Sequence, residues 1–364
     1  MNIIKYLILF FVIIFFGCNI EYIHKENIFL QNEDNLILDE IPDFGSKGKL
    51  KGRIVKSKFP NHSIAIYIYK NGWFNKPYWH PSTTNINPDG SFECDITTES
   101  GDEYAIKIAI FIIAKDYKPP LLEGEKELPE KIFKASHHYK IFHRGVLDFS
   151  GYRWIISSSK IPIGPGPNYF SSHPSDIFID ESGRLHLKIV KRNGKWFSSA
   201  VILSQNLGYG TYIFYLSSRF DLFDKNTVVG LFTWDNNSPE YNYREIDIEF
   251  SRWGIDNFQN SQFVVQPSNN PKNIFRFNIS LDNDKTTHFF KWTEKSILFQ
   301  SLYGHKIKSN DNRDIIAKWI YKGKDIPPTG GERVMINFWL VDGKPPSDEK
   351  EHEVIIEKFE FIPE

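Results

Sequence analysis

The 364-residue chain has very little cysteine: only Cys18 and Cys94 are present. Two cysteines can form at most one disulfide, which excludes a framework of several cross-links, so stability must come from buried apolar surface. A chain of this length is long enough for two hydrophobic cores. Cys94 lies in a short alternating segment, and we expect it to be a small buried hydrophobe.

The chain also lacks an excess of charge of either sign. Its 44 lysines and arginines nearly balance 45 acidic residues, giving a formal net charge of -1. Because the two signs are interspersed, no field would attract nucleic acid or anionic lipid. We therefore expect no nucleic-acid partner.

Long apolar runs are missing except near the N-terminus, where residues 6–16 form one. A run of about eleven residues is too short to span a bilayer as a helix, but it suits the apolar region of a secretory signal. It is followed by Gly17-Cys18, which resembles the lipobox of bacterial lipoproteins, in which the cysteine is lipidated. The resemblance implies a signal peptide over 1–17 and an exported protein held to the membrane by lipid on Cys18, in the periplasm or at the cell surface; plain secretion is the alternative.

Residues 18–45 are polar without periodicity, which predicts a tether. Residues 46–140 contain short alternating segments separated by Gly and Asn turns, which predict an accessory β-sandwich with strands near 50–55, 64–69, 91–96 and 104–114. The aromatic segment 73–79 either stacks on sugars or packs as a loop plug or domain interface. Proline-containing residues 115–140 predict a linker or wrapping segment.

Residues 141–364 lack sustained helical periodicity, and the best short helix candidate is 314–321. Short alternating segments predict a second, larger all-β domain. Within it, Glu245-Ile246-Asp247-Ile248-Glu249-Phe250 alternates strictly, so three carboxylates share one strand face and three apolar side chains the other. Taken alone, this pattern also fits a solvated strand face or a calcium-binding edge.

Crowded carboxylates push their pKa values apart, and a glycosidase requires such a difference between its protonated and ionised carboxyls. In an extended strand the Cα atoms of Glu245 and Glu249 are about 13 Å apart. Long glutamate side chains leaning together could bring the carboxyls to the roughly 5–5.5 Å that double displacement uses.

This strand resembles the catalytic strand of glycoside hydrolase family 16, and flanking segments over about 148–364 resemble the family in the same order. These segments are Asn168 with 183–185, 208–212, 287–292, 334–339 and 356–361. The resemblance implies a concanavalin A-like, two-sheet β-jelly-roll whose concave face binds polysaccharide. It also implies that Glu245 is the nucleophile, Asp247 the assisting acid and Glu249 the general acid/base. No cofactor is required, although a structural calcium near Glu357 would fit the family.

Aromatic and amide side chains near the acids are candidates for sugar binding, with core packing as the alternative for the aromatic ones. The candidates are Asn168, Phe232, Trp234, Trp253, Gln266, Asn337 and Trp339. Arg244 stands where the family's mixed-linkage glucanases and xyloglucan enzymes usually carry an acid, which argues against an ordinary lichenan hydrolase.

The sequence therefore predicts an exported, monomeric, retaining endo-β-glycanase that hydrolyses or transglycosylates a polysaccharide, with a β-glucan-like substrate expected. The alternative from a different class is a non-catalytic glycan-binding lipoprotein on the same fold. A purely structural envelope lipoprotein is a third reading. Three crowded carboxylates argue against both, because neither binding nor structure requires them.

Overall fold

The computed structural model describes residues 35–159, 161–308 and 311–364. The expected signal peptide 1–17, the expected lipidation site Cys18 and most of the expected tether lie outside these residues. The described residues form twenty-four strands and one α-helix. None of their helices is long and apolar enough to cross a membrane.

The N-terminal unit contains eight strands and the helix. They are β1 (Leu36–Glu40), β2 (Lys49–Ile54), β3 (His62–Tyr69), β4 (Trp73–Lys76), β5 (Ser91–Asp95), β6 (Lys107–Ala114), β7 (Glu123–Glu125), α1 (Glu130–Ala135) and β8 (Ser136–His143). They pair as a three-stranded sheet, β1-β2-β5, and a five-stranded sheet, β7-β4-β3-β6-β8. The all-β prediction for this region is confirmed.

Strand β3 shows why the two N-terminal sheets pack together. Ile64, Ile66 and Ile68 point into a core shared with β2 and β5, while Ala65 and Tyr67 point into a second cluster that includes α1. Alternate side chains of a strand leave opposite faces, so an apolar run such as this one must be covered on both sides.

Two boundaries drawn from the sequence need correction. Residues 36–40 of the expected tether form β1, which pairs with β2. The expected linker 115–140 contains β7, α1 and the start of β8, which continues past position 140 to His143. These segments are short, and their pairing with β4 and β6 could not be read from local pattern.

The aromatic segment 73–79 divides between burial and exposure. Trp73 is buried with 1% of its surface exposed, whereas Tyr78 and Trp79 are 57% and 47% exposed. The first ring therefore packs in the core, and a sugar-stacking role remains a prediction for the exposed pair.

The C-terminal unit contains sixteen strands. They are β9 (Val146–Phe149), β10 (Tyr152–Ile156), β11 (Tyr169–Phe170), β12 (Ile177–Ile179), β13 (Leu185–Arg192), β14 (Lys195–Leu203), β15 (Gly210–Ser217), β16 (Thr227–Trp234), β17 (Ile246–Phe250), β18 (Ser261–Val265), β19 (Ile274–Phe277), β20 (Lys285–Trp292), β21 (Ile297–Tyr303), β22 (Ile315–Tyr321), β23 (Arg333–Leu340) and β24 (His352–Pro363).

These strands form two sheets that face each other. The inner sheet runs β9-β10-β14-β23-β16-β17-β18-β19, and the outer sheet runs β12-β13-β24-β15-β20-β21-β22; the β13–β14 hairpin joins them, and β11 pairs in parallel with β14. A single apolar cluster fills the space between them, with Phe263 of β18 stacked on Phe299 of β21 at 5.1 Å between ring centroids. The predicted two-sheet jelly-roll sandwich is confirmed.

The helix expected over 314–321 is wrong. Residues Ile315–Tyr321 form β22, paired with β21. Ala317, Trp319 and Tyr321 pack on the inter-sheet core with the spacing of two that is typical of a strand. The segment is short and mostly apolar, so its periodicity alone does not separate a strand from a helix.

Strand β12 belongs to both units of the chain. Ile177 and Ile179 pack in the jelly-roll core, while Phe178 between them packs in the N-terminal core. Phe178 also stacks on His186 of β13, with ring centroids 4.5 Å apart. One three-residue strand thus contributes to two hydrophobic cores.

Candidate active site

Strand β17 presents its acids to a cavity of about 620 Å³ on the inner sheet. Ile246, Ile248 and Phe250 are buried in the inter-sheet core, so the alternating residues must face the other way. Glu245, Asp247 and Glu249 all line the cavity. The predicted orientation of the strand is confirmed.

Cross-strand register places the neighbours of Glu249. Gln262 of β18 lies directly opposite on one side and Gly230 of β16 on the other. Arg276 of β19 pairs with Gln262, and Asn337 of β23 pairs with Gly230. We call these five residues the acid row.

Three residues of the acid row, Arg276, Gln262 and Glu249, are connected by hydrogen bonds. Arg276 Nε donates to Gln262 Oε1 at 3.1 Å, and Gln262 Nε2 donates to Glu249 Oε2 at 2.8 Å. Since amide and guanidinium N–H groups favour the ionised form of an acceptor carboxyl, this chain of donors opposes the effect of burial on Glu249.

In the rest of the acid row, the side chain of Asn337 packs closely over Gly230. A Cβ added at Gly230 would lie 2.3 Å from Asn337 Oδ1. Asn337 is 2% exposed, and within the described structure its Oδ1 accepts no hydrogen bond. A buried acceptor left in this state is costly, so Asn337 is poised to accept from a ligand in the cavity.

Burial raises the pKa of all three acids. It raises the pKa of Glu249 to about 7, against the hydrogen bond from Gln262 and the charge of Arg276. Burial and the charge of Glu249 raise the pKa of Glu245 to about 8, and the pKa of Asp247 is held well above its usual range by burial and by both neighbours. Three adjacent carboxyls, one buried and two half-buried, cannot all be ionised, so the triplet retains protons at neutral pH.

Asp247 is the most deeply buried of the three acids. It is 2% exposed, accepts a 3.2 Å hydrogen bond from Gln266 Nε2, and hydrogen-bonds to Glu245 in a way that lowers the pKa of Glu245. A proton on Asp247 would favour the ionised form of Glu245, and the role of assisting acid remains a prediction for Asp247.

Aromatic rings lie on both sides of the acids. Trp234 lines the cavity, stacks on Tyr243 at 4.5 Å between centroids, and donates from Nε1 to Asn236 Oδ1 at 2.7 Å. Trp339 lines the cavity farther along β23 and contacts Trp253 edge-on at 6.0 Å. Fixed rings of this kind present flat apolar faces that suit sugar rings.

The candidate sugar-binding residues fall into three groups. Phe232, Trp234, Asn337 and Trp339 line the cavity together with the acids. Gln266 and Trp253 are not among the lining residues. Gln266 donates a hydrogen bond to Asp247, and the ring of Trp253 contacts that of Trp339. They support lining groups rather than forming the cavity wall.

Asn168 needs correction as a sugar-binding candidate. It is 3% exposed, and its Nδ2 donates to the carbonyls of Pro165 and Leu340, both at 2.8 Å. Its Oδ1 accepts from Ser198 Oγ at 2.8 Å and from the Leu340 amide at 3.2 Å. Both polar atoms of the Asn168 side chain thus form hydrogen bonds within the protein. These bonds hold the loop that contains Asn168 against the end of β23.

The turn before β17 fixes the position of Glu245. Asn242, Tyr243 and Arg244 have φ values of 50°, 58° and 53°, the left-handed region that non-glycine residues seldom adopt. Arg244 is buried, and its Nε donates to Asp235 Oδ2 at 3.1 Å and to Ser238 Oγ at 3.2 Å. Arg244 therefore stabilises the turn rather than facing the cavity.

Sequence reasoning missed Gln262, Arg276 and Gly230. Gln262 precedes Gln266 by four residues, so it shares a strand face with a residue that was identified. Its place opposite Glu249 depends on strand pairing across the β17–β18 connection.

No group of three or more His, Cys, Asp or Glu side chains among the described residues could hold a metal ion. Glu357, where the family's calcium was expected, accepts a 2.8 Å hydrogen bond from Ser217 Oγ. The calcium site remains a prediction.

No protein-family model and no curated protein matches the chain. Among solved structures, a Bacillus licheniformis β-glucanase shares 19% identity over 60% of this chain and 93% of its own, with a TM-score of 0.43. A lichenase from a mouse hindgut metagenome shares 18% identity over 58% of this chain and 93% of its own, with a TM-score of 0.42. A β-1,3-glucanase from Mycobacterium marinum shares 15% identity over 57% of this chain and 90% of its own, with a TM-score of 0.43.

Proposed function

We propose that this chain is a retaining endo-β-glycanase of the glycoside hydrolase family 16 type, acting on a β-linked polysaccharide. The observation that carries the proposal is the acid triplet: the buried Asp247 between the half-buried Glu245 and Glu249, on the cavity side of one strand, with raised pKa values and with Trp234 and Trp339 to either side. Such an arrangement supplies both a proton donor and a carboxylate nucleophile.

The reaction would proceed by double displacement. The Glu245 carboxylate attacks the anomeric carbon and forms a glycosyl ester, while Glu249 gives its proton to the departing glycosidic oxygen. Glu249 then takes a proton from an incoming water or sugar hydroxyl, whose oxygen displaces Glu245 and restores the starting state. Water gives hydrolysis and a sugar hydroxyl gives transglycosylation.

The protonation states of the two glutamates depend on what occupies the cavity. In the unliganded site the hydrogen bond from Gln262 and the charge of Arg276 favour the ionised form of Glu249. A glycosidic oxygen beside Glu249 can accept a hydrogen bond only from the protonated form. Since the two carboxyls titrate as a coupled pair, binding substrate in this way shifts the proton to Glu249 and leaves Glu245 ionised.

The test is release of reducing sugar from laminarin, lichenan, xyloglucan, agarose and carrageenan. We expect activity on at least one, and a loss of about 10³-fold or more in Glu245→Gln and Glu249→Gln. The assigned roles are separated by azide: Glu245→Ala should yield an α-glycosyl azide and Glu249→Ala a β-glycosyl azide. Absence of turnover on every polymer, with glycan binding unaltered in Glu245→Gln, would favour the non-catalytic binding protein.

Export and anchoring form a separate part of the proposal. The apolar run 6–16 followed by Gly17-Cys18 supports lipidation of Cys18. Cys18→Ser should release the protein from the membrane fraction. Retention of that variant on the membrane would contradict lipid anchoring and leave the enzyme proposal untouched.

A further inference from the structure

Arg333, the first residue of β23, is a cation that lines the cavity beside Trp234. It is half-buried, and in the described ranges its side chain forms no hydrogen bond, ion pair or ring contact. No other lysine or arginine lines this cavity among the described residues.

The neighbouring charges already have partners. Asp235 also lines the cavity, but its carboxylate accepts from Ser238 Oγ at 2.6 Å and from Arg244 Nε at 3.1 Å. The charge that acts on Glu249 is that of Arg276 on the far side of β17. Arg333 thus places a half-buried guanidinium at the cavity wall, with five donors and no acceptor, where it can pair with an anionic ligand.

Register fixes which sugar Arg333 would meet. Trp234 of β16 pairs with Arg333 on one side, and Glu245 is next in line on the other because Thr233 pairs with Ile246. Adjacent strands are about 4.8 Å apart, so Glu245 and Arg333 are separated by about 10 Å at their Cα atoms. A sugar ring beside Trp234 would therefore have one edge toward Glu245 and the other toward Arg333.

We propose that Arg333 binds an anionic substituent, a sulfate ester or a carboxylate, on the sugar beside the nucleophile, so that the substrate is an acidic polysaccharide. This inference rests on the proposed function and narrows its substrate class. A planar guanidinium matches the paired oxygens of either group, whereas a neutral glucan could be held by ring stacking and amides alone. Placement across Trp234 from Glu245 keeps the anion away from the acid triplet.

The experiment compares each acidic polymer with its neutralised form. κ-Carrageenan would be tested against desulfated carrageenan, and polyglucuronate against its carboxyl-reduced form, which separates sulfate from carboxylate. For the wild-type protein we expect higher kcat/KM on one acidic polymer, with a KM that rises with ionic strength. In Arg333→Gln the ratio of acidic to neutral kcat/KM should fall roughly 10- to 100-fold.

Arg313→Gln is the matched control, since it removes the same charge from a side chain that is 90% exposed and pairs with Asp311. It should leave the ratio unchanged. A second measurement does not depend on turnover. It compares the affinities of Glu245→Gln and of the double variant Glu245→Gln/Arg333→Gln for acidic and neutral oligosaccharides. Turnover or binding that is indifferent to both the anionic group and Arg333 would overturn the inference, with glycosidase activity intact. Arg333-dependent binding of acidic glycans without cleavage would instead overturn the proposed function alone.

Discussion

Among single residues, Glu249 shows how the site opposes the stability of the protein. Its pKa is about 7 in the folded state against an ordinary value of 4.5. Between these values the folded state binds more protons than the unfolded state, so the free energy of unfolding falls as pH rises. Glu245, with a pKa raised to about 8, acts in the same direction.

Glu249→Gln should therefore be more stable than the wild-type protein at neutral and alkaline pH. The two should unfold at similar temperatures near pH 4.5, and the variant should gain a few degrees by pH 8. Thermal unfolding measured across this range checks the prediction. Parallel curves for the two proteins would mean that the carboxyl is not held in the protonated form by burial.

Gln262 gives a second prediction for single residues, because it donates to the ionised form of Glu249. Gln262→Met removes the donor at nearly constant volume and should raise the pKa of Glu249 by about one unit. The general acid then keeps its proton to higher pH, and the alkaline limb of the kcat/KM profile moves upward. Gln300→Met, on β21 of the outer sheet, is the matched control. An unmoved alkaline limb would assign Gln262 a purely structural role.

Among elements, the packing of β16 between β17 and β23 depends on the missing side chain at Gly230. Gly230→Ala would place a methyl group 2.3 Å from Asn337 Oδ1, which must then move. We expect kcat/KM to fall at least tenfold and the unfolding temperature to drop. The double variant Gly230→Ala/Asn337→Ala removes the clash, so it should recover stability but not activity. Failure to recover stability would place the strain elsewhere.

The strand elements also show what a sequence can predict. The spacing of two in residues 245–250 orients the acids correctly, because burial of Ile246, Ile248 and Phe250 leaves one register. Residues 315–321 form a strand although 314–321 is the best helix candidate in the sequence, since so short a segment fits either period.

The remaining misses concern contacts between distant residues. Asn168 resembled a sugar-binding amide, yet its partners Ser198 and Leu340 are 30 and 172 positions away. The Arg276–Gln262–Glu249 hydrogen bonds likewise arise from the order of β17, β18 and β19 in the sheet. Local pattern carries no information about which residue will face another across a sheet.

At the scale of the whole molecule, β12 couples the two units. Phe178 is 7% exposed in the N-terminal core, while its neighbours Ile177 and Ile179 pack in the jelly-roll core. The hydrogen bond from Ser172 Oγ to Asp43 Oδ1, at 2.8 Å, adds a second connection. The wild-type chain should therefore unfold in one cooperative transition.

Phe178→Ala should cost about 3 kcal/mol or more and split the calorimetric unfolding peak in two, because it removes the side chain that joins the cores. Phe142→Ala deletes a side chain of equal size from the N-terminal core, on β8 and not on β12. It should lower the midpoint of a single peak. Two separate transitions in the wild-type protein would show that the units unfold independently.

The position of β24 sets a limit on when this molecule can become active. Residues 352–363 pair with β13 on one side and with β15 on the other, so they form an interior strand of the outer sheet. Until residue 363 has been synthesised, β13 and β15 each keep an open edge, and the inner sheet with its acids has no complete surface to pack against. A nascent chain stalled earlier would carry the whole triplet and still be inert.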